Sequence, residues 1–167
     1  GMAPGAKIFF QSLLDENGQL CDLELKLPDL LQQAYDQGAR ILNISWGAST
    51  ESYYTFDSVA MDQFIYDHPD MLVMVSAGNE AVKRTDANGN DVVAFGSVGS
   101  PATTKNGLTV GASRSSRMQE DPEAIAPFSS RGPCKSDRRI KPDIVAPGTD
   151  ILSTRSGAAP DRNFDRF

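Results

Sequence analysis

The chain has 167 residues, of which 40% are hydrophobic, enough to bury one core and to form one ordinary domain. A formal charge of −6 argues against a nucleic-acid binder, which shows a basic stripe. No run approaches the roughly 20 apolar residues of a membrane helix, and no basic segment followed by an apolar one marks a signal peptide.

Residues 7–13 form an apolar run that predicts a first strand, ended by the turn Asp15-Glu16-Asn17-Gly18. Leu27, Leu30, Leu31, Ala34 and Tyr35 follow helical spacing, with Gly38 placed to stop the helix. A second strand is expected over residues 41–45. Phe56, Val59, Ala60 and Phe64 repeat the helical spacing, with Asp57 or Ser58 as cap and His68-Pro69 at the end. Residues 71–77 predict a third strand, buried on both faces, and residues 108–112 a fourth. Beyond Arg114 proline, glycine and charge dominate; residues 143–146 and 151–153 read as brief strands and the last ten residues as loop. Alternating strands and helices with short connections imply an α/β fold with a mostly parallel, doubly wound sheet. No linker-like tract divides the chain, so residues 1–167 are expected to lie within one domain.

The third strand breaks abruptly into Ser76-Ala77-Gly78-Asn79-Glu80. Small residues admit a second backbone, and an asparagine there can aim its amide outward. Ligands of open α/β sheets bind at that carboxyl edge. A neutral donor therefore stands where an anionic intermediate could form.

Several other features point to less. The two cysteines, Cys21 and Cys134, lack zinc-site spacing; a disulfide between them and two inert thiols are both open. Lys135, Arg138, Arg139 and Lys141 are interrupted by Asp137 and followed by Asp143, and read as a solvated loop. Asp86-Ala87-Asn88-Gly89-Asn90-Asp91 superficially suggests calcium, but glycine is not at the sixth position and no glutamate is at the twelfth. Asn88-Gly89 more simply nucleates a hairpin turn.

Four blocks occur in an order and spacing that resemble the subtilisin-like serine peptidases. They are Gly1-Met2-Ala3-Pro4, Asn43-Ile44-Ser45-Trp46-Gly47, Ser76-Ala77-Gly78-Asn79-Glu80 and Phe128-Ser129-Ser130-Arg131-Gly132-Pro133. A fifth, Lys141-Pro142-Asp143-Ile144-Val145-Ala146-Pro147-Gly148, adds to them. Together they cover essentially the whole chain. The tryptophan and the Ser-Ser-Arg-Gly-Pro form look like the secreted bacterial branch, which implies an extracellular location.

The resemblance implies roles residue by residue. Asn79 aligns with the family's oxyanion-hole asparagine. Ser45, Trp46 and Gly47 align with the segment that pairs with substrate and walls the P1 pocket, although Trp46 also reads as core filler. Ala77 and Gly78 form the opposite wall, and Pro101-Ala102 resembles the pocket floor. The last two blocks read as scaffold. An uncharged pocket implies apolar or aromatic P1 side chains. No cofactor is required; calcium is an allowed structural ion whose position the sequence does not reveal. Extended peptide or protein is the implied partner, with no nucleic acid and no membrane.

The family's Asp–His–Ser triad has no counterpart in these 167 residues. The His-Gly-Thr and Gly-Thr-Ser-Met-Ala blocks are absent, as is any Gly-x-Ser-x-Gly elbow. His68, the only histidine, precedes a proline at a helix end and reads as a surface or capping residue. The expectation is a central fragment of a peptidase domain, lying between the His and Ser motifs, inactive alone and prone to self-association. The alternative is a natural non-catalytic module that binds extended peptide or serves assembly.

Overall fold

A computed structural model describes residues 3–13, 26–89, 91–116 and 121–151. Gly1, Met2, Cys21, Asn90, the turn expected at residues 15–18 and residues 152–167 lie outside them.

Helix α1, Leu27–Asp36, opens with the Lys26 amide donating to Asp29 Oδ2 and buries Leu27, Leu30, Leu31 and Ala34. It stops at Gly38, whose φ of +86° suits a residue without a side chain. Strand β1, Ile41–Ile44, follows, then helix α2, Phe56–Asp67, and strand β2, Leu72–Ser76. The hairpin strands β3, Val82–Thr85, and β4, Asp91–Val93, come next, and then β5, Leu108–Ser113, and β6, Ile144–Pro147. The main sheet has the order β1-β2-β5-β6, and all three pairings are parallel. This is the parallel α/β arrangement that the alternation of elements predicts. At the hairpin turn the Gly89 amide donates to the Asp86 carbonyl and the Asn88 amide to Asp86 Oδ1, as Asn-Gly chemistry dictates.

Both helices pack on the sheet face that carries Ile44, Val73 and Val75. Met61 and Phe64 of α2 and Leu27 and Leu31 of α1 complete the core with Met71, Val98 and Ala102. The opposite face, with Ile41, Leu72 and Ile144, is open among the described residues. Strand β2 is therefore buried on one face only, alternating exposed Leu72 with buried Val73 and Val75. A continuous apolar run leaves the number of covered faces undetermined, because covering is supplied by other segments.

Three further expectations are corrected. Among the described residues, 7–13 make no ladder; Ile8 and Phe10 stand 86% and 82% exposed, while Gln11 is tied down through the Leu30 carbonyl and Gln33. A groove of about 990 Å³ is lined by this segment, α1 and β1, so its strand propensity finds no partner edge. The N-cap of helix α2 is Thr55, not Asp57 or Ser58, and Phe56 and Val59 face outward while Ser58, Met61, Asp62 and Phe64 face in. Finally, the basic cluster is not simply solvated. Lys141 is buried against Asp143 at 2.6 Å, and Arg139 donates to the carbonyls of Thr103 and Thr104.

Candidate active site

The parallel register pairs Ile44 with Val75, so β1 and β2 end side by side. Ser45, Trp46 and Gly47 leave one end, and Ala77, Gly78 and Asn79 leave the other. Residues 45–47 and 77–78 are the segments that the resemblance implies as pocket walls, and they lie at the edge where open α/β sheets bind ligands.

Each segment is held by its own backbone. Gly78 sits at φ +105°, in the region that only glycine occupies freely, and a Cβ there would lie 3.0 Å from Ser130 Oγ. The Ser130 amide donates to the Gly78 carbonyl, and Ser130 Oγ accepts the Glu80 amide. These bonds bracket Asn79 from both sides and fix where its side chain starts. Asn79 itself is exposed, and its amide has no hydrogen-bond partner among the described residues. The backbone on both sides of Asn79 is thus fixed, and its side-chain amide is left free to donate.

Ser45 and Gly47 are exposed, Trp46 is half-buried against the core, and Asn43 Nδ2 donates to Ser45 Oγ at 2.8 Å. A Cβ on Gly47 would collide with the Ser100 carbonyl oxygen. The glycine is thus demanded by the chain's own backbone, whereas the sequence suggested approach of a substrate. Ala48 and Ser100 exchange two backbone hydrogen bonds of 2.9 Å. The neighbouring Gly99 amide donates to the Ala77 carbonyl at 3.1 Å, so residues 99–100 span the two walls.

The five wall residues and Asn79 do not close around one cavity. Ala77, Gly78 and Asn79 line a depression of about 310 Å³ with Asn43, Ala112 and Phe128, on the open sheet face. Ser45 and Trp46 line the larger groove beside β1, and Asn43 borders both. Pro101 and Ala102, expected as the floor, are buried and line neither hollow.

His68 is accounted for structurally. Its Nδ1 donates to the Phe64 carbonyl at 2.9 Å and its ring stacks on Phe64 at 4.1 Å, which fixes it as the cap of α2. Cys134 is buried with its thiol free, and burial raises its pKa, so it is an unreactive thiol. Among the described residues no group of three or more His, Cys, Asp or Glu is gathered to hold a metal.

Sequence reasoning missed two contributors. The hydroxyls of Ser129 and Ser130 accept the Ala112 and Glu80 amides, so the block read as scaffold holds the donor loop directly. Asp62 was hidden because the apolar spacing of Phe56 and Val59 pointed to the wrong face of α2. Its signal was a charged residue four positions after Ser58, both on the side that turns inward.

Comparison with known proteins adds to this geometry. The family model described as Subtilase family matches residues 1–167. The serine protease/ABC transporter B family protein tagA of Dictyostelium discoideum is 33% identical over 116 residues, 68% of this chain and 6% of that protein. Serine protease AprX of Bacillus subtilis is 36% identical over 104 residues, 59% of this chain and 23% of that one. Among solved structures, the prenylagaramide maturation protease PagA superposes with a TM-score of 0.57 at 24% identity, covering 86% of this chain and 43% of that one. The chain thus spans less than a quarter of both curated relatives and under half of that structure.

Proposed function

Because the chain belongs to the subtilase family, we propose that it forms part of the catalytic domain of a serine endopeptidase. Asn79 donates its amide to the oxyanion of the tetrahedral intermediate. Ser45, Trp46 and Gly47 pair with an extended substrate and wall one side of its P1 side chain, and Ala77 and Gly78 wall the other. The carrying observation is that Asn79, held on both sides by Ser130, presents a free amide at the sheet edge. Such a donor lowers the barrier because it binds the developing charge more strongly than the ground-state carbonyl.

These 167 residues cannot complete the reaction alone. Acyl transfer requires a nucleophile and a base. The only histidine is committed to Phe64, and no block in these residues resembles the family's serine or aspartate motif. The activity therefore belongs to the protein that supplies the triad, and the resemblance of the tryptophan and Ser-Ser-Arg-Gly-Pro blocks to the secreted bacterial branch favours an extracellular one.

One pair of assays tests this. The full-length protein should hydrolyse casein and a chromogenic peptide and be labelled by a serine-directed phosphonate. The isolated chain should do neither. Phosphonate-sensitive turnover by the isolated chain would overturn the inactivity, and a full-length protein that neither cleaves nor labels would overturn the peptidase reading.

A further inference from the structure

Asp62 is an ionisable side chain in an unusual place. It lies on the inward face of α2, only 7% exposed. Among the described residues it makes no salt bridge; Lys105 and Arg139 instead lie over the Tyr54 ring, 4.4 and 5.5 Å from its centre. Burying a carboxylate is costly unless hydrogen bonds replace its water.

Here they do. Asp62 Oδ1 accepts the Thr104 hydroxyl and the Asn106 amide at 2.8 Å, and the Lys105 amide reaches both oxygens at 2.8 and 2.9 Å. The Tyr54 hydroxyl donates to Oδ2 at 2.7 Å, and Asn106 Nδ2 donates to the Asp62 carbonyl. Burial pushes the carboxyl up, but the bonds from Thr104, Asn106, Tyr54 and Lys105 outweigh it and hold the pKa below the usual value. One carboxylate thus organises three consecutive residues of a loop that has no regular structure of its own.

That loop leads directly to the candidate site. The Thr104 amide turns back to the Pro101 carbonyl at 3.0 Å, and Ser58 Oγ contacts Thr103 Oγ1 and Pro101 O. Pro101 follows Ser100, which is bonded in both directions to Ala48, and Gly99, which is bonded to Ala77. The connection runs from α2 through residues 101–106 to the strip that spans the two walls.

We infer that Asp62 is a positioning residue for substrate specificity: through residues 101–106 it sets the place of Gly99 and Ser100 between the two pocket walls. This rests on reading residues 45–47 and 77–78 as those walls. Asp62 touches no substrate. It acts on the depth and width of the pocket that receives the P1 side chain, and so on which peptides bind well.

The test has two readouts on Asp62→Asn in the full-length protein, with Tyr54→Phe as a milder variant that removes one donor. Amide hydrogen exchange reads the link without any activity. Asp62→Asn should speed exchange about tenfold at Lys105 and Asn106 and carry through to Ser100 and Ala48, with Val59 of α2 and Leu72 of β2 unchanged. Exchange that changes at 105 and 106 but leaves Ser100 and Ala48 protected would overturn the inference. Hydrolysis of peptides that differ only at P1 is the second readout. For a large aromatic P1, kcat/KM should fall about tenfold through KM, while a P1 alanine changes little. An equal loss for every P1 residue would show a merely structural role and also overturn the inference. Should the wild-type protein cleave no peptide, the peptidase reading fails, while the exchange result still decides whether Asp62 positions residues 99–100.

Discussion

At the scale of single residues, two positions carry the site for different reasons. Asn79 matters for what its amide can donate. Replacing it with alanine in the full-length protein should lower kcat by about 10²–10³, a magnitude borrowed from a subtilisin's own oxyanion asparagine, with KM nearly unchanged. A variant that keeps its kcat would remove Asn79 from the oxyanion role. Gly47 matters for what it lacks. Its alanine variant would drive a methyl group into the Ser100 carbonyl and strain the Ala48–Ser100 bridge. We expect a loss of about 1–3 kcal/mol by urea denaturation, while Gly5→Ala, with nothing within 4 Å, should be nearly neutral apart from the change in chain entropy. A Gly47→Ala midpoint equal to wild type would show that residues 47 and 100 separate freely.

Among the elements, α2 shows how far a hydrophobic pattern can mislead. Its apolar spacing is real, yet Phe56 is 75% exposed and Ser58 is fully buried. The buried polar pair is tolerated because Ser58 and Asp62 meet the polar loop at residues 101–106 in place of apolar core. This predicts a pH signature. The folded pKa of Asp62 lies below its unfolded value, so its contribution is fully present above about pH 4 and is lost as pH falls through the folded pKa. The midpoint temperature should therefore drop on acidification below about pH 4, and Asp62→Asn should flatten part of that drop. Identical acid profiles for wild type and variant would show that the carboxylate contributes nothing. Tyr54, whose pKa is pushed to about 12 by burial and by Asp62, keeps its donor proton throughout this range.

For the whole molecule, the decisive feature is the asymmetry of the sheet. One face holds both helices and the core, whereas the other presents Ile41, Leu72 and Ile144 at 64%, 42% and 48% exposure. Apolar patches of this kind seek cover. We expect the isolated chain to self-associate at micromolar concentration through this face, and Leu72→Lys to return it toward the monomer in sedimentation velocity. A wild-type chain that stays monomeric would show that the face is tolerated in water.

The elements nearest to local chemistry were legible before any coordinates. Helix α1 with its Gly38 stop, strands β1, β2 and β5, and the Asn88-Gly89 turn each follow from spacing and turn residues within a few positions. The chain order of Ser45, Trp46, Gly47, Ala77, Gly78 and Asn79 at two strand ends was legible for the same reason, since a strand's end is a local event. What needed the tertiary structure depends on partners distant in sequence. Among the described residues, 7–13 have strand composition but no partner edge, and β2 has an apolar run but one covered face. The inward side of α2 was decided by a loop some forty positions later. Local propensity belongs to the residue, whereas pairing and burial belong to whatever the chain brings alongside it.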